Sequence, residues 1–145
     1  MKIAKIIGIL VLVYVGIVVI FESLLGYFQP ESDNTIVITT TNDAGESFNR
    51  VVSLLESQEQ MYVAVNHWPR MWYYRLLENP AITVTNAGET GPYMAVPVEG
   101  AEHDQVQSDN PTGIVFRILT GFPPRYFVRL DPTGAVPAVP LPSGP

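Results

Sequence analysis

The sequence predicts one membrane-spanning helix followed by a mainly-β domain, an antiparallel barrel of about six short strands with two short inserted helices. Three observations lead there. Ile6 to Phe21 is an unbroken apolar run behind Lys2 and Lys5. Six β-branched or alternating segments come after it, and they lack the strand–helix–strand rhythm that marks a parallel sheet.

With Leu24, Leu25, Tyr27 and Phe28 continuing past Glu22, the apolar run reaches about 20 residues, enough at about 1.5 Å per residue to cross a hydrocarbon core of about 30 Å. A cleavable signal has an apolar middle of only about 7–15 residues and a small-residue cleavage site. The exit here is Gly26-Tyr27-Phe28-Gln29-Pro30, so an uncleaved anchor over residues 1–28 is expected. Tyr27 and Phe28 suit an interfacial aromatic belt, and Pro30 ends the helix. Lys2 and Lys5 precede the span, whereas Glu22, Glu31 and Asp33 come after it with no base before Arg50. The positive-inside rule then places the N-terminus in the cytoplasm and the remaining chain on the opposite face, with the lipid bilayer as first partner.

The chain has 145 residues, and the part beyond the anchor is the size of one compact domain. Beyond Glu22, six arginines stand against thirteen carboxylates. That negative field repels phosphate backbones and excludes nucleic acid as a partner. The absence of cysteine excludes disulfides, thiolate metal sites, iron–sulfur clusters and a thiol nucleophile. His67 and His103, the two histidines, lack the spacing of a helical zinc pair, and no metal site is expected.

A polar linker over 29–34 leads to Thr35–Thr41, whose β-branched run reads as the first strand. Asn42-Asp43-Ala44-Gly45 turns the chain into a second strand at Val51–Leu55, and Met61–Val65 makes a third whose end delivers Asn66 and His67. Pro69 suits a first helical position, and Arg70 to Glu78 run without a breaker until Asn79-Pro80. Ala81–Thr85 and Tyr93–Val98 form a hairpin about Asn86-Ala87-Gly88-Glu89. The acidic stretch Glu99, Glu102, Asp104 and Asp109 lacks a calcium-loop pattern and reads as a solvated loop. Asp109 or Asn110 caps a second helix with Pro111 in its first turn and Ile114, Val115, Ile118 and Leu119 on one face, ended by Gly121. Arg125–Leu130 alternates as the last strand, which gives a barrel domain over 35–131. The tail over 132–145, with Pro137, Pro140, Pro142 and Pro145, reads as an extended polyproline-like segment suited to lying on a partner.

The segment from His67 to Pro80, running into the strand Ala81–Thr85, resembles the deazaflavin-dependent nitroreductase family. Its pattern there is P-x-W-Y-x-N-L-x-A-N-P leading into a strand, and Trp72, Tyr73, Leu76, Asn79 and Pro80 match. The resemblance spans roughly Thr35 to Leu130 and implies a split β-barrel related to pyridoxamine phosphate oxidase-like flavin proteins. It also implies a flavin or deazaflavin cofactor and reductase chemistry. In the family the turn after the first strand is typically a basic G-R-K-[ST]-G followed by Arg, which holds the cofactor's phosphate and acidic tail. Here that turn reads Asn42-Asp43-Ala44-Gly45-Glu46, and carboxylates in place of cations repel a polyanion by on the order of 1–3 kcal/mol each. The cofactor is also a cytoplasmic metabolite in the organisms that make it, whereas the lysine bias places this domain outside.

His67, at a strand end where the family places cofactor-contacting residues, is the candidate proton donor, since an ordinary pKa of about 6.5 permits transfer near neutrality. Its bland alternative is a histidine bonded to nearby backbone. The resemblance implies Thr41, Arg50, Asn66, Trp72 and Tyr73 as cofactor contacts. Trp72 equally suits a core plug, and Arg50 a surface ion pair with Glu46 or Asp43. Arg70 and Arg75 read as solvated partners of Glu78 and other acids. Two functions stay open: a membrane-anchored reductase acting on a quinone-like or nitroaromatic acceptor, and a cofactor-free accessory or interaction subunit of a larger membrane complex that keeps only the barrel.

Overall fold

A computed structural model describes residues 2–28, 34–66 and 70–134. The expected linker residues 29–33, His67, Trp68 and Pro69, and the tail from residue 135 lie outside the described residues. Helix α1 (Lys2–Phe28) has 27 residues, is long and apolar enough to cross a bilayer, and exposes nearly all of its first half.

Six strands come next, β1 (Thr35–Thr41), β2 (Ser47–Ser57), β3 (Gln60–Val65), β4 (Ala81–Asn86), β5 (Glu89–Val98) and β6 (Tyr126–Pro132). They close into an all-antiparallel barrel in the order β1-β2-β3-β6-β5-β4, with β4 pairing back on β1. The period-2 pattern that made β1 legible sends Ile36, Ile38 and Thr40 inward. Val63, Val65, Ile82, Val84, Val128 and Leu130 meet them in the barrel core.

Three short helices decorate the barrel. Helix α2 (Met71–Glu78) buries Trp72 and Leu76 in that core, the plug that its aromatic spacing allowed. Helix α3 (Gly100–Asp109) stands where the acidic stretch read as a solvated loop. Its one buried residue, Val106, packs with Tyr62, Val98 and Phe127, so no apolar stripe announces it. Tertiary contacts hold it instead. Arg129 bridges Glu102 at 2.7 Å and Asp131 at 2.8 Å, Tyr62 donates to Glu102 at 3.0 Å, and Ser57 donates to Asp109 at 2.6 Å. The paired carboxylates raise the Arg129 pKa above its ordinary value.

Helix α4 (Ile114–Leu119) forms within the expected second helix, but Gly113 precedes its first turn, Asp109 and Asn110 close α3 instead of capping it, Pro111 lies outside it, and its apolar residues remain outside the core. It packs instead on α1. The rings of Phe116 and Phe21 meet edge to face at 6.2 Å, and the Tyr14 hydroxyl donates to the Ile118 carbonyl at 2.8 Å. Gly121, at φ +74°, lies so close to α1 that a Cβ there would stand 3.1 Å from Val18.

Candidate functional site

The end of β3 at Val65 hands the chain to Asn66, and β6 begins one residue after Arg125 on the neighbouring strand. The two side chains therefore meet, and Arg125 Nε donates to Asn66 Oδ1 at 3.0 Å. Nη1 of the same guanidinium donates to Gln107 Oε1 at 3.1 Å and to the Asn110 carbonyl at 2.8 Å, and the group lies over the Phe127 ring. Partial burial, with Arg117 nearby as a smaller cause, pulls its pKa below the ordinary guanidinium value.

Arg50 sits mid-strand on β2, opposite Ile38 of β1. Its Nη1 donates to the Gly26 carbonyl in the last turn of α1 at 3.1 Å, a position where a cation complements the helix dipole. This corrects the expected surface pair with Glu46 or Asp43. Burial alone lowers the Arg50 pKa. The half-buried cations Arg50 and Arg125 line one cavity of about 510 Å³ together with Asn66, Trp72, Leu25 and Phe116. That volume falls in the range of about 300–1,000 Å³ typical of small-molecule sites. Val52, Leu55 and Ala64 add apolar wall from the barrel. A second cavity of about 440 Å³, bounded by His103, Gln107, Arg117 and Phe122, shares Asn66, Phe116 and Arg125 with the first.

Three expected site residues, Arg50, Asn66 and Trp72, thus come together. Tyr73 stands aside from the cavity, stacked on Tyr126 at 5.8 Å and edge-on to Trp72 at 6.2 Å. Burial first, then the neighbouring Tyr126, raises its pKa. Thr41 lies at the far end of β1 from the cavity-lining Thr35, about 20 Å away at strand rise, and its carbonyl accepts from Asn79 at 3.0 Å. Arg125 was missed as a site residue. It lies 59 residues from Asn66 with no local motif, and only the β3–β6 pairing joins them. Arg70 and Arg75 also depart from expectation. Arg70 donates to the Pro124 carbonyl at 3.0 Å and covers Tyr126, and Arg75 lies 4.0 Å over Phe48 with Nε directed at Thr40.

The turn after β1 is closed on itself. Asn42 Oδ1 accepts from the Ala44 and Glu46 amides at 3.1 and 2.9 Å, Asn42 Nδ2 donates to Glu46 at 2.7 Å, and Asp43 accepts from Asn79. Its carboxylates thus serve the turn's own geometry, four residues before Arg50 in the chain.

No known protein family's sequence profile and no curated protein matches this chain. Solved structures do. A domain-swapped dimer aligns at TM-score 0.55 and 15% identity, covering 68% of this chain and 80% of that one. The barrel fold is shared with a reductase. That protein, an F420-H2-dependent reductase, aligns at TM-score 0.52 and 18% identity over 66% of this chain and 93% of its own. A conserved hypothetical protein from Mycobacterium tuberculosis aligns at TM-score 0.50 and 12% identity, over 70% and 74% of the two chains. At these identities the likeness establishes the split-barrel fold, as the motif around Trp72 and Asn79 implied.

Proposed function

We propose that the protein is a membrane-anchored reductase of the flavin or deazaflavin type. Its redox group occupies the cavity between barrel and anchor, and its acceptor is a quinone-like or nitroaromatic compound that partitions into the bilayer. The observation that carries this reading is one cavity presenting two half-buried guanidiniums, Arg50 and Arg125, beside Trp72, Leu55 and Phe116. A flavin-type group has a planar apolar ring and an anionic tail, and this lining suits both ends. When bound, such a group supplies hydride transfer.

The chain's own residues do the rest. Arg50 and Arg125 hold the anionic end, and Asn66 fixes the Arg125 fork by accepting from Nε. Trp72 and Phe116 exclude water from the ring, and His67, next in the chain after Asn66, is the proposed proton donor. Leu25 on the cavity wall brings the exit of α1 to the site, which suits an acceptor arriving from lipid. In this reading α1 stays uncleaved, with the barrel on the face opposite Lys2 and Lys5.

One observation favours the second reading, a cofactor-free interaction subunit of a membrane complex. The turn Asn42–Glu46, where the resembling family holds phosphate, carries carboxylates bonded within the turn and to Asn79. Absorbance and fluorescence of the protein extracted from membranes, followed by titration with flavin mononucleotide and with a deazaflavin, separate the two. The reductase reading expects a bound chromophore or saturable binding. A colourless protein with no saturation at tens of micromolar leaves only the interaction subunit.

A further inference from the structure

Helix α4 is the one described helix with no buried residue, yet it carries large apolar side chains. Val115 is 67% exposed, Ile114 60%, and Ile118 and Phe122 nearly half. A soluble domain this small rarely leaves such a patch uncovered unless something binds it. The patch is continuous with α1, because Phe116, Ile118 and Gly121 all rest on the anchor helix.

The level of that contact is informative. Glu22 is buried, Leu25 lies on the cavity wall and the Gly26 carbonyl is held by Arg50, so the lipid-facing run of α1 closes at Phe21 and not at the Tyr27–Phe28 belt that the sequence suggested. At about 1.5 Å per residue, Val18 and Tyr14 lie about 5 and 10 Å beneath Phe21 along the axis. Since α4 touches Phe21, Val18 and Tyr14, it runs through a layer about 5–10 Å below the polar boundary of the span, the depth at which interfacial helices rest.

Its backbone suits a water-poor layer. The last turn of a helix leaves carbonyls without intrahelical partners, and lipid offers none. Here the Phe116 carbonyl accepts from Thr120 amide and hydroxyl, the Arg117 carbonyl from the Phe122 amide, and the Ile118 carbonyl from Gly121 and Tyr14. Charge agrees. From Asn110 to Leu130 the chain has no carboxylate, within a protein of net charge −6, and while Arg129 is paired with Glu102 and Asp131 and Arg125 is turned onto Asn66, Arg117 is the cation carried by α4 itself. Arg117, lying 5.3 Å over Phe122, is long enough to reach a lipid phosphate while its stem stays apolar.

We propose that α4 and the turn through Pro124 form a second membrane contact, lying in the lipid interface beside α1 with Ile114, Val115, Ile118 and Phe122 among the acyl chains. This rests on α1 being a membrane span. It makes the barrel a body seated in the bilayer surface, with Phe116 of α4 on the wall of the cavity that holds Arg50 and Arg125, rather than one swinging on a tether.

The natural lack of cysteine permits a clean test on the full chain. Leu12→Cys, Val115→Cys, Ile114→Cys and Ala44→Cys variants are labelled with an environment-sensitive fluorophore and reconstituted in vesicles of phosphatidylcholine and phosphatidylglycerol. Quenching is then read with acyl-chain nitroxides and with aqueous iodide. The expected result is strong nitroxide and weak iodide quenching at Leu12, Val115 and Ile114, and several-fold stronger iodide than nitroxide quenching at Ala44. Lipid quenching at Leu12 with iodide quenching at Val115 and Ile114 overturns the second contact and leaves the anchor standing. Iodide quenching at Leu12 overturns the anchor itself. Shielding of Val115 and Ile114 from both quenchers assigns the patch to a protein partner or a second copy and likewise refutes the proposal.

Discussion

Strands β2 and β3 are joined by only Gln58 and Glu59, with Ser57 paired to Gln60. Both linking residues have positive φ, 47° and 62°, the mirror-image turn whose twist matches a hairpin. Neither has the side chain for it. A Cβ in left-handed backbone costs about 1–2 kcal/mol, and glycine returns about 0.5–1 kcal/mol of that as unfolded-state entropy. Glu59→Gly therefore stabilises by about 1 kcal/mol, and Gln58→Asn adds a few tenths because asparagine tolerates this region. For a domain of about 100 residues this raises Tm by about 5–10 °C. Thermal unfolding of the full chain in micelles, followed by far-ultraviolet circular dichroism, measures it. Ala44→Gly is the control, since Ala44 is exposed in a turn without positive φ. It lowers Tm through the unfolded state alone. If Glu59→Gly loses stability as Ala44→Gly does, the assigned turn geometry is wrong.

Arg50→Met and Arg125→Met each remove one charge-assisted contact of about 1.5–3 kcal/mol to an anionic ligand, weakening its Kd by about 10–100-fold, while Arg75→Met, remote from the cavity, leaves titrations of flavin mononucleotide unchanged. Val106→Ala deletes the one buried residue of α3 and costs about 2 kcal/mol, read as a lower urea midpoint, with faster amide exchange confined to residues 100–109. Tyr62 and Tyr73 have raised pKa values through burial, and for Tyr62 also through Glu102. Their neutral forms stabilise the fold fully below the ordinary tyrosine range, and that contribution fades as pH climbs through the raised values. In an alkaline absorbance titration, Tyr62→Phe and Tyr73→Phe each remove a step that lies above the ordinary tyrosine range. Asp109, held low by hydrogen bonds from Ser57 and Gln105, contributes stability above the ordinary carboxylate range that is lost as pH falls through its depressed value. Ser57→Ala moves the Asp109 carboxyl resonance titration upward.

Much of the barrel was legible because β1 and β6 alternate and β4–β5 carry the Asn86–Glu89 turn, patterns in which one face must be apolar. Helix α3 was not, since Val106 is its only buried side chain and an ion cluster on Arg129 holds it. The Gln58–Glu59 hairpin was hidden for a related reason, its residues being poor choices that the surrounding sheet overrides. Within the site, Asn66 and Trp72 emerged from a local motif. Arg50 was named without its partner Gly26, and Arg125 was missed.

By itself the amino-acid order determined an apolar helix of bilayer length, a barrel of β-branched strands, and an acidic, cysteine-free chain, since periodicity and composition are local properties. Only the tertiary structure decided where α4 lies and which arginines share a cavity. Those depend on strand closure and on docking against α1, which join residues dozens of positions apart that no window along the chain relates.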